Sequence, residues 1–357
     1  MSNRSGKVRV AILGATGSVG QRFIQLLAEH PLFEIAALAA SEKSVDKPYK
    51  SAVNWLLSTS LPSHIAEMKI SPCLPDLPCD LVFSGLDSSV AGEIELQFAQ
   101  AGYMVHSNAR NHRMHSDVPL MVAEVNPDHL CLAEKQSTAG KIITNPNCSA
   151  IGLTLALKPL LDRFGLESVH VVTLQAISGA GYPGVASLDI FDNVVPFISQ
   201  EEEKIEIETL KILGKSVNNQ IEMGKFKVSA QCNRVPVTDG HLECISVKLK
   251  SAASKQDLIR AWNEFEGIPQ QLRLPLAPLH PTRYFYEETY PQPKLHRHLD
   301  KSMSVAIGRL RECSIFDYKF AILSHNTIRG AAGGAILNAE LQVSTLHNSK
   351  LNSHSSS

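Results

Sequence analysis

The sequence predicts an α/β protein in which a doubly wound parallel sheet is followed by a second, α+β domain. Three observations point there. Over the first 145 or so residues, short apolar runs alternate with helical periodicity. A glycine-rich turn joins the first run to the first helix. After Cys148 the strand-like runs lengthen, and one alternates apolar with polar residues.

Val8 to Leu13 (VRVAIL) suits a buried parallel strand. Gly14-Ala-Thr-Gly17-Ser-Val-Gly20 follows, then QRFIQLLAEHP, which places Phe23, Leu26 and Leu27 on one helix face before Pro31. EIAALAA completes a βαβ unit. Leu81 to Ser84 and Tyr103 to His106 read as further strands, separated by a helix over Ala91 to Ala101. SAIGLTLALKPLLDRFG is a strong helix starting near Ala150. Strand-like runs then recur in SVHVVTLQAIS, KFKVSAQCNRVPV, HLECISVKLK, MSVAIGRLR and FDYKFAILS. In HLECISVKLK, Ile245, Val247 and Leu249 alternate with Ser246, Lys248 and Lys250, as expected for a sheet with one wet face. Thr238-Asp239-Gly240 supplies turn chemistry, so a hairpin is expected between NRVPV and HLECISVKLK. From Asn326 the small-residue segment NTIRGAAGGAILNAELQ predicts a helix packed back on the first domain. The polar stretch from Ser344 predicts a disordered tail. The expected division is 1–147 with 326–343, then 148–325, then 344–357.

Composition narrows the function. Lys plus Arg is 34 against 35 Asp plus Glu, so no net field draws the chain to nucleic acid or membrane. No run approaches the ~20 apolar residues of a bilayer span. MSNRSGK has no apolar leader, and a cytoplasmic protein is expected. The seven cysteines show no CxxC spacing, so neither disulfides nor a metal site is expected.

The turn of Gly14, Thr16, Gly17, Ser18 and Val19 lies between strand and helix, where glycines admit a pyrophosphate and the helix end favours its charge. Ser84 and Gly85, at a neighbouring strand end, are expected to border the same cofactor. After the second strand, Ser41, Lys43 and Ser44 suit a ribose 2′-phosphate, whereas Glu42 would suit a free 2′-hydroxyl. The balance favours NADP; the bland alternative is a solvated loop. Asn145-Pro-Asn147-Cys148-Ser149 precedes a helix, and a thiol at a helix start is expected to have a lowered pKa.

Many ordered stretches make a resemblance specific: GATGSVGQRF, SNARNHRMHSDVPL, EVNPDH, NPNCSAIGL, LQAISGAGYPG, EEEKIEIETLKILG, NRVPVTDGHLE and SHNTIRGAAGGAILNAE. The chain resembles the aspartate-semialdehyde dehydrogenase family, in its archaeal and fungal branch. The resemblance implies a Rossmann-type NADP domain, with 148–325 serving catalysis and dimerisation, and a homodimer or homotetramer. It implies Cys148 as nucleophile, His241 as acid/base and Gln175 as the group that positions the acyl carbon. Arg234 would clamp the substrate carboxylate. Arg113 and Asn111, with Arg110 nearby, would form the phosphate site. Glu201 would touch the substrate amino group and Lys204 the phosphate; an ordinary surface ion pair is the alternative for these two. Ser178, Gly179 and Asn326 would border the nicotinamide. The implied reaction is NADPH-dependent reduction of L-4-aspartyl phosphate through a cysteine thioester, with release of inorganic phosphate. Its place would be lysine, threonine and methionine biosynthesis. Malonyl-CoA reductase and N-acetyl-glutamyl-phosphate reductase share the thiol logic. A dinucleotide-binding sensor would keep the glycine turn but lose thiol or base. Departures from the family pattern include Ala123, Leu242 and the LHRHLD segment.

Overall fold

A computed structural model describes residues 6–354, with side chains to residue 345. Its first sheet takes β1 (Val8–Leu13), β2 (Phe33–Ala40), β3 (Ile70–Pro72), β4 (Leu81–Ser84), β5 (Met104–Ser107) and β6 (Lys141–Thr144). They are ordered β3-β2-β1-β4-β5-β6 and pair in parallel throughout. Helices α1 (Ser18–Leu27) and α2 (Ser88–Gln100) connect them. The order reverses direction at β1, so the crevice at the carboxyl ends of β1 and β4 is where a ligand binds in such sheets.

The second sheet follows α3 (Cys148–Phe164). It holds β7 (Leu166–Ala176), β10 (Lys227–Val235), β11 (His241–Leu249), β12 (Thr282–Phe285), β13 (Val305–Glu312) and β14 (Tyr318–Ser324). A separate two-stranded ribbon is formed by β8 (Lys215–Val217) and β9 (Gln220–Glu222). The large sheet is ordered β10-β7-β11-β14-β13-β12. It is mixed: β10 runs parallel to β7, and β11 antiparallel to both β7 and β14. The expected hairpin is therefore corrected. β10 and β11 do not pair; β7 lies between them, and Val237 and Thr238 accept hydrogen bonds from Ile177 and Ser178 as the chain passes its end.

Helices α3, α4 (Glu201–Ile212) and α5 (Lys255–Asn263) cover one face of that sheet and build its core with Leu155, Leu157, Ile205, Ile245 and Trp262. Each such side chain, fully buried, contributes roughly 1.5–3 kcal/mol. The Trp262 indole also donates to the Ala156 carbonyl at 2.8 Å, pinning α5 to α3. The last helix, α6 (Gly333–His354), returns to β5 and α1 of the first sheet, as its small residues predict. It carries past Ser344, which corrects the expected irregular tail up to His354; residues 355–357 lie outside the described ones. No helix among the described residues is long and apolar enough to cross a membrane.

Candidate active site

The sheet register explains why distant residues converge. Gln175 pairs with Arg234 across parallel strands, and Leu174 with Leu242 across antiparallel ones. The carboxyl ends of β7 and β10 thus meet the amino end of β11, bringing Gln175, Arg234 and His241 to one edge. α3 starts there too. It begins at Cys148 rather than near Ala150, because the Asn147 side chain caps it by accepting from the Ser149 and Ala150 amides at 2.9 and 3.2 Å.

Cys148 Sγ lies 3.2 Å from His241 Nε2. The other ring nitrogen, Nδ1, accepts from the Ala176 backbone N–H at 3.1 Å. An amide can only donate, so the neutral ring carries its proton on Nε2, facing the sulfur. His241 is fully buried, and burial with the Arg234 charge brings it down to about 3, so it is neutral at physiological pH. The expectation of a lowered thiol pKa is corrected. Burial pushes Cys148 up to about 12, Glu201 adds to this, and Arg234 and Arg113 only partly oppose it. The resting sulfur is therefore a thiol. The helix end and the Nε2–H favour its ionised form, but desolvation outweighs them until a substrate arrives.

Glu201 is the hub of the polar wall. Its carboxylate accepts from Asn147 Nδ2 at 2.9 Å, from Gln175 Nε2 at 3.2 Å and from Lys204 Nζ at 3.0 Å. Burial pushes it up, but Lys204, Asn147 and Gln175 outweigh burial and hold it below the ordinary carboxylate range. The Glu201–Lys204 ion pair is thus joined to Asn147 and Gln175 as well as lying along a helix face. Arg234 is anchored by donating to the Ala176 carbonyl at 2.8 Å. A methyl group at Gly179 would lie 2.7 Å from Arg234 Nη1 and 3.1–3.2 Å from the His241 ring, so glycine here lets the loop cover both.

The expected phosphate residues separate. Arg113 is buried, donating to Glu208 at 2.9 Å and to the Asn108 carbonyl at 2.8 Å. Arg110 is exposed and bonds Gln200. Asn111 turns away, donating to the Ser88 carbonyl of α2 at 2.9 Å.

At the cofactor turn, Gly14 has φ +74°, and a Cβ there would meet the Gly85 carbonyl at 2.8 Å. α1 has no side-chain cap and no acid in its first turn. Its free amides and positive end therefore fit a pyrophosphate, beside Thr16, Gly17, Ser18 and Val19. Tyr49, which sequence reasoning missed, braces this turn by donating to the Ala15 carbonyl at 2.8 Å. Ser41 and Lys43 are exposed and Ser44 half-buried on the turn after β2, with Glu42 beside them. Ser84 is fully buried and its hydroxyl lies near Glu95, so its side chain is not offered to the crevice. Asn326 ties the two halves, donating to Ser178 Oγ and accepting from the Gly240 amide, each at 2.8 Å. Arg22 and Asp239, also missed, add an ion pair at 3.4 Å between α1 and the second sheet's turn. A cavity of roughly 220 Å3 opens between them, lined by Ser18, Arg22, Ser178, Tyr182, Asp239 and Thr327. A larger groove, roughly 790 Å3, lies by Lys158 and Lys250 and contains none of the converging groups. Chemistry rather than size marks the site.

Comparisons with known proteins agree with this geometry. Residues 9–133 match the family described as semialdehyde dehydrogenase, NAD binding domain, and residues 157–329 match semialdehyde dehydrogenase, dimerisation domain. The chain is 50% identical to an aspartate-semialdehyde dehydrogenase of Schizosaccharomyces pombe, over 94% of this chain and 98% of that one. It is 47% identical to one from Methanothermobacter thermautotrophicus, with the same coverage. A crystal structure of the Candida albicans aspartate semialdehyde dehydrogenase with NADP superposes with a TM-score of 0.88 at 46% identity, covering 94% of this chain and 98% of that one.

Proposed function

The chain belongs to the semialdehyde dehydrogenase family, and from that premise we infer that it is an NADP-dependent aspartate-semialdehyde dehydrogenase acting through Cys148. The observation that carries this reading is the 3.2 Å contact of Cys148 Sγ with His241 Nε2 at a helix start, between the glycine turn and the Arg234–Glu201 wall. The cofactor unit is assigned to 1–147 with 326–343, and the catalytic and dimerisation unit to 148–325.

Substrate binding follows from charge. Arg234 holds the α-carboxylate, its planar fork suited to bidentate contact. Glu201, ionised in its buried network, receives the α-ammonium. Lys204 and Arg113 draw the phosphate, and Gln175 steadies the acyl group. With both charges of the amino acid neutralised, Cys148 Sγ attacks the acyl carbon. The C–S bond forms, the C–O bond to phosphate breaks, and the thiol proton departs with the phosphate, a strong base as it leaves. When bound, NADPH supplies the hydride that reduces the resulting thioester. As the hemithioacetal oxyanion collapses, the C–S bond breaks and the sulfur leaves as a thiolate held by a hydrogen bond from the Nε2–H of His241, and the thiolate regains its proton from solvent water. A donor pointed at the charge as it forms needs no reorganisation. The turn of Ser41, Lys43 and Ser44 is assigned to the 2′-phosphate of NADP.

The dimerisation domain supports a homo-oligomer, and we assign a homodimer or homotetramer working in the cytoplasm, in amino-acid biosynthesis. The test is oxidation of L-aspartate 4-semialdehyde with phosphate, run with NADP and NAD side by side. NADP reduction that depends on phosphate is expected. Turnover that ignores phosphate but requires coenzyme A would reassign the enzyme to acyl-CoA reduction.

A further inference from the structure

We propose that Glu208 and Lys211 are positioning residues that hold Arg113 and the nucleophile's loop in one register for the departing phosphate. The proposal rests on the assignment of Arg113 to phosphate.

Along α4, Glu201, Lys204, Glu208 and Lys211 fall at steps of three and four, so all four share one face. The first two face the substrate. The second two are buried deeper and face the chain that carries the site. Glu208 splits its carboxylate: Oε1 accepts from Arg113 Nη1 at 2.9 Å, and Oε2 accepts from the Asn147 N–H at 2.6 Å. One rigid group thereby links the arginine to the residue preceding Cys148. Lys211 spends all three donors on the loop that follows Arg113, reaching the carbonyls of Arg113, His115 and Val118 at 2.7, 2.8 and 3.0 Å. Arg113 itself uses its two Nη atoms on Glu208 and on the Asn108 carbonyl. Its Nε is buried with no protein partner. A guanidinium has five N–H donors, so Arg113 keeps unspent ones for an oxyanion. The N–H groups left over on Nη1 and Nη2 are the ones an anion could take up, and a buried guanidinium with donors to spare is costly until one does.

The consequence is geometric. If Lys211 is lost, three carbonyls are released and the loop that carries Arg113 loses its anchor on α4. If Glu208 becomes Gln, its amide opposes the Asn147 N–H, and both the arginine and the nucleophile's loop shift. A purely architectural role would lower stability and leave substrate constants alone.

The experiment measures the phosphate KM in the oxidative direction, together with protection of Cys148 from iodoacetamide by inorganic phosphate, which needs no turnover. Charge-assisted contacts of this kind set a scale of roughly 10-fold or more. Lys211→Met should raise the phosphate KM on that scale and weaken protection equally, with kcat and the NADP KM within about 3-fold. Glu208→Gln should raise the phosphate KM and weaken protection likewise and, because the nucleophile's loop moves as well, should also lower kcat and slow alkylation of Cys148 in the absence of phosphate. Lys211→Arg, which keeps the charge and several donors, should recover part of the loss. A wild-type phosphate KM and wild-type protection in Lys211→Met would overturn the proposal. So would a wild-type enzyme that phosphate neither protects nor assists; that outcome removes the phosphate assignment of Arg113 itself, whereas the former leaves it standing.

Discussion

Replacing Gly179 with alanine tests the site's geometry with a single methyl group. The backbone there accepts alanine, since Gly179 is not among the glycines with positive φ. The added Cβ would stand 2.7 Å from Arg234 Nη1, 3.1 Å from His241 Cε1 and 3.2 Å from His241 Nε2. Ordinary contact begins near 3.4 Å. The guanidinium must therefore retreat by about 0.7 Å and the ring by about 0.3 Å. A misplacement of ~1 Å costs on the order of 100-fold in rate, so kcat/KM should fall by roughly 10- to 100-fold. Steady-state turnover measures this, while NADP binding by fluorescence and the thermal midpoint check the rest of the molecule. Gly179 lies on an exposed loop, so the midpoint should move little. A kcat/KM within about twofold of the parent would refute the placement of His241 and Arg234 beneath this loop.

Three further outcomes follow from the same geometry. Cys148→Ala should abolish turnover and keep NADP binding, read by paired activity and fluorescence titration; residual turnover above about 1% would point to another nucleophile. The Ala176 N–H fixes the proton of His241 on Nε2, so nitrogen NMR of labelled histidine should show a neutral ring protonated at Nε2 down to about pH 5; an imidazolium signal near neutrality would contradict it. Burial brings His106 and His325 down to about 4 and His241 to about 3. Below an unfolded value of ~6.5 the unfolded chain takes up protons that the folded one refuses, so stability is lost as pH falls from about 6.5 toward 4. Each pH unit between the two values is about 1.4 kcal/mol per group. Glu95, raised to about 7 by burial, and Glu243, also raised, act in the opposite sense. The check is therefore a comparison of the parent with His106→Gln, whose urea midpoint should fall less between pH 7.5 and 5; an equal fall in both would exclude this cause.

Much of the fold was legible because its signals are local. VRVAIL, the glycine turn and the following helix appear where periodicity puts them. The hairpin failed for a nonlocal reason. Thr238-Asp239-Gly240 does turn the chain, but α4 and the β8–β9 ribbon intervene between β7 and β10, so β10 joins the far edge of β7. No turn signal records which strand occupies the gap. Cys148, Gln175, Glu201, Arg234 and His241 were legible as candidates, and strand ends together with the starts of α3 and α4 bring them near one another. The site's electrostatics were not, because a helix start can be read from sequence while the desolvation that raises Cys148 depends on the packing around it. Glu208 was missed for a similar reason: it looks like one more acid in EEEKIEIETLK, and only burial against Arg113 and Asn147 gives it a role.

The covalent step is open to direct observation. Enzyme mixed with aspartate semialdehyde and NADP, without phosphate, should form NADPH once and stop at the thioester. Mass spectrometry of an acid digest should then find an aspartyl acyl group on the peptide carrying Cys148, removed when phosphate is added before quenching. Equivalent NADPH formation with Cys148 unmodified, or with the acyl group on another residue, would contradict the account.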